Sequence, residues 1–500
     1  MLSYWDDTAG IAEFPRLDTT ISVDVAIIGG GIVGVSTGRF LKDMGRTVAV
    51  IEARRVGRQV TGKSTAKVTS QHHLIYQTLE GKFGEAHARQ YADAQQFGVD
   101  SIRNFSSRHQ LDCDWEDKPA FVYACDDRQA GMLDKEAGVT KRLGLPSRLV
   151  GNPGLPFSVS CALRYDSQAQ FHPIKYVAGL AKTIPGEGCH VFEESRAVDW
   201  NPTQVSTDGG TVNARCVVMA THLPLGIIGG FFAEAYPYAE PVVAARTTRV
   251  PDGMFISADK PSRSIRTHRS GNGDVYAIAA GGSFKPGRLE DLRQNFDELE
   301  RWLADHFEHG GIEYRWVNHD YSSMDSAPFI GWSSSSGDRY LVATGFSAWG
   351  ISNGTAAGKI LADLATNEEN PWLDLFDARR VKPLAGGATF IKENAATAGH
   401  LVGAYFARRG SSLQQLKPGD AAILNINGKQ VAAYRDHQGV PHTLSAACSH
   451  MGCVVGWNEV DRTWDCPCHG SRFTSDGRVI HGPATQPLAS LDLTETVAAE

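Results

Sequence analysis

The stretch Val23–Gly34, VDVAIIGGGIVG, decides the fold of this 500-residue chain. Its first half, Val23 to Ile28, is a short β-branched run that ends on glycine, the pattern of a strand buried on both faces of a parallel sheet. After Gly29-Gly30-Gly31 the apolar residues fall at helical spacing, with Val33, Thr37, Phe40 and Leu41 able to share one face. Gly45 ends that helix, and Thr47–Glu52 (TVAVIE) gives a second buried strand. Gly29, Gly31 and Gly34 therefore stand between a strand and a helix start. There the first glycine permits a tight turn, the second lets backbone approach a pyrophosphate, and the third lets helix and strand pack closely. Ile32 opens the helix, whose N-terminal amides face the ligand. Glu52 ends the second strand, placed to accept hydrogen bonds from a ribose. The unit reads as a dinucleotide cradle.

Working outward, His72 to about Leu149 reads as helix and loop. Strand-like pieces return at Ser195–Trp200, at Thr211–Ala220 and from Val242 to about Ala280. Arg288–Phe307 reads as an amphipathic helix, Arg339–Thr344 as a strand and Thr355–Leu364 as a closing helix. From Val381 to about Leu401 the periodicity is lost among small residues. Beyond Ala404, short strands recur at Ala421–Ile426, Gln430–Tyr434, Val454–Trp457, Trp464–Cys466 and Val479–Ile480, with Asn427-Gly428 and Asp476-Gly477 as turns. This is the signal of a small all-β module.

Four of the nine cysteines, Cys448, Cys453, Cys466 and Cys468, crowd into that module. Cys448-x-His450 and Cys466-x-x-His469 set two thiols and two imidazoles in paired loops. Two thiolates on one iron and two imidazoles on the other is the ligand set of a Rieske [2Fe–2S] centre, and the same inventory would serve a tetrahedral zinc. The spacing is unlike that of a C2H2 finger and the module is β-rich, which favours the cluster.

Two family resemblances rest on these strings. Over about residues 1–380 the chain resembles the FAD-dependent oxidoreductases of the D-amino-acid oxidase and glycine oxidase superfamily. The likeness is carried by the glycine triplet, by Arg54–Thr65 after the second strand, by Cys216–Thr221 (CVVMAT), by Asp325-x-x-Pro328-x-x-Gly331 and by Ala343–Ser352 (ATGFSAWGIS). Over about residues 403–500 it resembles the bc-type Rieske domain. Here the likeness lies in Cys448–Cys453, Cys466–Ser471 and a proline loop, His481-Gly482-Pro483-Ala484. Together they imply an α/β FAD-binding Rossmann-like domain with an interleaved α+β substrate domain, plus a C-terminal all-β Rieske domain. The FAD-binding parts would span about 21–70, 195–235 and 320–370 and the substrate parts about 71–190 and 236–319, with a linker at 381–402.

The resemblance implies Gly29, Gly31, Ile32, Gly34, Glu52, Thr61, Ser64, Thr65, Val198, Thr221, Gly345, Phe346, Gly350 and Ile351 as FAD-binding residues. It implies Cys448, His450, Cys466 and His469 as cluster ligands and Cys453–Cys468 as a disulfide. Ser471 would donate to a cluster sulfur, while Phe473 stands where high-potential relatives carry a tyrosine donor. Simple amino-acid oxidases of the family hold the substrate carboxylate with an arginine before the Asp-x-x-Pro element. Here the run is Asn318–Asp325 (NHDYSSMD), and an acid at Asp320 favours a cationic amine; Tyr321, His319 and Asp320 are the substrate-side candidates. No second nicotinamide-type cradle and no Asp-x-x-His-x4-His oxygenase run is found.

Composition narrows the classes further. Apolar residues make up 42% and charged residues 21%, ordinary for a folded protein, and 49 Lys+Arg against 56 Asp+Glu leaves −7. Such a balance gives no reason to bind nucleic acid or anionic lipid. No apolar run is long enough to span a membrane and no export signal is visible, so a cytoplasmic location is expected. The expected activity is an FAD-dependent dehydrogenase oxidising a C–N bond of a small amine or amino-acid-like substrate. Electrons would leave singly through the Rieske cluster to a one-electron acceptor, a protein or a quinone. The alternatives are an electron-transfer reductase or redox sensor fed by a protein partner, and an O2-using oxidase with a structural Rieske domain.

Overall fold

The computed structural model describes residues 3–10, 12–249, 251–334, 339–380 and 413–492. The expected linker at 381–402, and the residues up to 412 at the start of the β-rich module, lie outside the described residues.

The quoted stretch forms the strand Val25–Ile28 and the helix Ile32–Asp43, followed by the strand Val48–Ile51. Both strands are buried along their whole length. They sit at the centre of a six-stranded sheet, in the order His190–Phe192, Val48–Ile51, Val25–Ile28, Cys216–Met219, Leu341–Thr344 and Phe329–Trp332. All neighbours run parallel except the last pair. The closing helix, Gly350–Thr366, crosses the Ile32–Asp43 helix closely because Gly358 carries no side chain. A Cβ there would lie 2.8 Å from the Ser36 Cβ.

A second sheet of eight strands runs Ile312–Ser323, Ala235–Arg246, Val275–Ala280, Ser264–Arg269, Met254–Ser257, Ala120–Ala124, Cys161–Tyr165 and Ser147–Val150. One face packs against the dinucleotide-type domain through Val242, Ile278, Met254 and Val122. The other packs Val243, Phe255, Ile265 and Ala279 under the amphipathic helix Leu289–His306, through Leu292, Phe296, Leu299 and Leu303. The reading of 72–149 as helix and loop is corrected by Ala120–Ala124 (AFVYA), a strand buried at every position. Five consecutive apolar residues between long helices carry no alternation, because both faces of that strand are covered.

The C-terminal module holds a three-stranded sheet (Ala421–Ile426, Lys429–Arg435, Pro441–Ser445) and a four-stranded one (Gly456–Asn458, Thr463–Asp465, Arg472–Thr474, Val479–His481). It docks firmly on the larger domain. Lys63 Nζ lies 2.8 Å from Asp461 Oδ2, and Arg293 grips Glu459 with two bonds of 2.8 and 2.6 Å. The Arg196 guanidinium donates to the Val479 carbonyl at 2.9 Å, and the Gly226 N–H to the Pro483 carbonyl at 2.9 Å. Backbone meets backbone at Gly287 and Gly456, where a Cβ on Gly456 would lie 1.8 Å from the Gly287 carbonyl oxygen. Among the described residues no helix is long and apolar enough to cross a membrane.

Candidate functional site: a dinucleotide cleft walled by a cysteine–histidine module

Two glycines of the triplet, Gly29 and Gly34, are required by sterics. A Cβ on Gly29 would lie 2.4 Å from the Ala220 carbonyl oxygen of the neighbouring strand, and one on Gly34 only 1.9 Å from the Gly29 carbonyl oxygen. Gly31, as the residue capping the Ile32–Asp43 helix, offers no side-chain acceptor, so first-turn amides are left for a ligand. The Ile32 N–H is spent on Thr61 Oγ1 at 3.2 Å. The Glu52 carboxylate accepts from the Gly30 N–H at 2.8 Å and the Arg54 N–H at 2.9 Å. These bonds fix its orientation, and each oxygen keeps a lone pair for a ribose hydroxyl.

These residues open onto a cleft of about 1360 Å³, counted to its open mouth. Gly29, Gly31, Ile32, Glu52, Thr61, Ser64, Thr221, Phe346, Gly350, Ile351 and Asp320 all line it. Several expected residues do not. Gly34 serves helix–strand packing, Thr65 is outside the lining, and Gly345 turns with φ +81° against Ser323. Val198 is corrected: its side chain is 55% exposed, and Arg196 and Ala197 line the cleft instead. Asp325 is held in a bidentate pair with Arg380, at 2.8 and 2.9 Å, and anchors the turn before the Phe329–Trp332 strand.

Two substrate-side candidates are also corrected. Alternation along the Ile312–Ser323 strand sends Asp320 into the cleft and Tyr321 the opposite way. The Tyr321 hydroxyl, buried between the domains, donates to the His469 carbonyl at 2.9 Å. His319 is buried against the C-terminal module, with Nε2 3.5 Å from Asp465 Oδ2 and neither ring nitrogen hydrogen-bonded. Burial, reinforced by Arg472, pushes the His319 imidazole down to about 3. Asp320 itself is engaged: Oδ1 accepts from the Tyr321 N–H and lies 2.7 Å from His222 Nε2, while Oδ2 accepts from the Ala348 N–H.

His222, which carries no motif in the sequence, continues the chain, with Nδ1 3.1 Å from His481 Nε2. His481, Gly482, Ala484 and Thr485 of the C-terminal module line the same cleft as the glycine triplet. One cavity wall therefore belongs to the second domain.

Behind that wall, Cys448 and Cys466 are buried free thiols, and the His450 and His469 rings lie 5.0 Å apart, both edge-on to Phe232 of the larger domain. The contact between the two thiols, with Ser471 and backbone amides nearby, holds the Cys448 thiol below its usual range, while the same contact and burial push Cys466 up. Both ring nitrogens of His450 are buried without a hydrogen bond, as metal ligands would be before loading. Cys453 and Cys468 form a disulfide with Cα atoms 6.4 Å apart, tying the two loops together. Two thiols and two neighbouring imidazoles, that of His450 without a hydrogen bond, fit the Rieske inventory. Phe473 is fully buried in the module core, and Ser471 Oγ accepts from the Ala484 N–H at 3.0 Å.

Comparison with known proteins agrees with this geometry. Residues 24–364 match the model of the FAD dependent oxidoreductase family (DAO), and residues 410–492 that of the Rieske [2Fe-2S] domain. The chain belongs to the FAD dependent oxidoreductase family and carries a C-terminal Rieske domain. It is 34% identical over 497 residues to the Rieske 2Fe-2S iron-sulfur protein YhfW of Bacillus subtilis (strain 168), covering 98% of this chain and 97% of that protein. It is 25% identical over 419 residues to the gamma-glutamylputrescine oxidoreductase of Escherichia coli (strain K12), covering 77% and 94%. The fold of glycine oxidase from Bacillus cereus superposes with a TM-score of 0.55 at 21% identity, over 72% of this chain and 99% of that one. The protein is thus an FAD-dependent oxidoreductase whose second domain binds a Rieske [2Fe–2S] cluster.

Proposed function

We propose that this protein is a dehydrogenase of a small amine or amino-acid-like compound, oxidising a C–N bond to an imine and sending the electrons through its own Rieske domain to a one-electron acceptor. The observation that carries the reading is the shared cleft wall: His481, Gly482 and Ala484 of the Rieske domain face the cavity lined by Gly29, Glu52 and Gly350. FAD accepts a hydride from a carbon next to nitrogen, and a [2Fe–2S] cluster carries electrons one at a time. Gly29, Gly31, Glu52, Thr61 and Ser64 would hold the first group; Cys448, His450, Cys466 and His469 the second.

The protein's remaining task is to bind and orient the amine. Glu240 stands directly opposite Asn318 in the Ala235–Arg246/Ile312–Ser323 ladder, with Tyr238 opposite Asp320. Directly paired residues share a sheet face, so Glu240 and Tyr238 share a face with Asn318 and Asp320, which line the cleft. Burial, with repulsion from Asp320 and relief from Lys67, raises the Glu240 carboxyl to about 7. Asp320 in the lining and Glu240 on the same face give this side acidic groups for a cationic amine. Both relatives named for an activity, gamma-glutamylputrescine oxidoreductase and glycine oxidase, bear amine or amino-acid names, which supports the same class.

Anaerobic stopped-flow absorbance against a panel of amines, N-methyl amines and amino acids tests the reading. Flavin bleaching followed by cluster reduction is expected. No bleaching across the panel, with rapid reduction by an electron-carrier protein, would move the protein to the reductase class. Peroxide formation that survives removal of the cluster would make it an oxidase.

A further inference from the structure

The strand Ile312–Ser323 brings the two sites within one residue of each other. Asp320 lines the cleft, and the very next side chain, Tyr321, reaches the loop that carries a cluster ligand. Its hydroxyl donates to the His469 carbonyl at 2.9 Å and lies 3.5 Å from the Gly482 carbonyl of the proline loop. The tyrosine is buried, and its ring packs edge-on to His222 at 4.7 Å. The fit is close: Gly470 turns with φ +70°, and a Cβ there would lie 2.5 Å from the Tyr321 hydroxyl and 2.9 Å from the Pro237 Cβ. The cluster loop is thus shaped to take this one side chain from the other domain. Inside the Rieske domain, Phe473 has no hydroxyl to give.

We propose that Tyr321 is a positioning residue for the cluster. Its phenol fixes the Cys466–Ser471 loop on the flavin domain and aims an O–H dipole at the backbone of a cluster ligand, so that the docked flavin domain sets the cluster's potential. A donor beside a ligand favours the more negative, reduced form of the centre and raises its potential, in the way that hydrogen bonds around a metal site tune it. The effect on potential does not require any particular substrate. The expected effect on flavin-to-cluster transfer rests on the electron path proposed above.

The test is Tyr321→Phe in the full-length protein loaded with FAD and cluster. A dithionite redox titration followed by electron paramagnetic resonance should show a lower cluster midpoint potential and altered g-values. Hydrogen exchange of the 466–471 amides should quicken several-fold. Flavin content, and flavin bleaching by any amine that bleaches the parent protein, should stay within about twofold. Loss of iron with flavin retained would also support the proposal, because the four ligands are untouched. An unchanged potential together with unchanged exchange would overturn it, as would slower flavin bleaching with an unchanged potential, which would return Tyr321 to the substrate side. If no amine bleaches even the parent protein, the electron path fails while the potential of the variant still decides the role of Tyr321.

Discussion

The flavin cradle and the cluster loops solve the problem of holding a redox group in opposite ways. The cradle is made of backbone: Gly29, Gly31 and Gly34 contribute by what they lack, and a side chain on Gly29 or Gly34 would strike a carbonyl oxygen. The cluster loops are made of side chains, two thiols and two imidazoles on turns that end in Gly452 and Gly470, both with positive φ. A backbone site is woven into the sheet and helix that form the core, so it cannot be lost without the fold. A side-chain site can be emptied while its scaffold stands, here helped by the Cys453–Cys468 disulfide.

That contrast breaks most visibly at Gly34. Gly34→Ala places a methyl 1.9 Å from the Gly29 oxygen, and overpacking against backbone, which cannot move aside, should cost at least the upper end of the ~1–3 kcal/mol range. The expected result is little soluble protein and no bound flavin, read from absorbance and thermal melting. Cys466→Ser should do the reverse. Iron content and the paramagnetic signal should vanish while flavin absorbance and substrate bleaching persist; loss of flavin in this variant would show that the sites are not separable.

The junction between the two domains sharpens the comparison further. Lys63, Arg472 and Asp461 form a buried charged cluster. Lys63→Ala leaves Asp461 with Arg472 alone, and the cost should fall below the roughly 3–5 kcal/mol of a buried charge left wholly unpaired. Faster hydrogen exchange across 457–472, with the Val25–Ile28 strand unaffected, is the expected signature. Acid should loosen the same junction. Burial would raise the Asp461 carboxyl, but Lys63 and Arg472 outweigh it and hold it below the usual range, so its contribution is present above about pH 3.9 and lost as pH falls through the depressed value. His319, pushed down to about 3, stays neutral when docked and takes up a proton once released. Docking should therefore weaken as pH falls from about 6.5 towards 3, and exchange measured over that range should show it. The smallest effect is expected at Glu240. Glu240→Gln should raise KM for a cationic amine several-fold and flatten its pH dependence near 7, with the cluster potential unmoved.

How far the molecule could be read from its sequence follows the same division. The cradle is local: strand, triplet, helix and Glu52 lie within 30 residues, and each has a periodic or steric signature. The cysteine–histidine loops are short strings with few alternatives. The Ala120–Ala124 strand left no trace because burial on both faces removes alternation. Tyr321 and His319 were placed beside the substrate because the neighbouring Asp320 suggested it. Strand alternation carries both of them to the far face, and only docking of the second domain gives that face a partner. His222 is legible only once His481, 259 residues away, is seen 3.1 Å from it. Val198 failed for a simpler reason: a resemblance assigns a position, and the side chain there points to solvent.

The wall that Val479–Thr485 lends to the cleft has a consequence for the history and engineering of the molecule. Excising the C-terminal module would change the cleft as well as remove the cluster. It would unroof the chamber, admit bulk water to it and strip Phe232, Leu225 and Tyr321 of their cover. Exchanging the module for a freely diffusing carrier would therefore mean rebuilding that wall of the chamber.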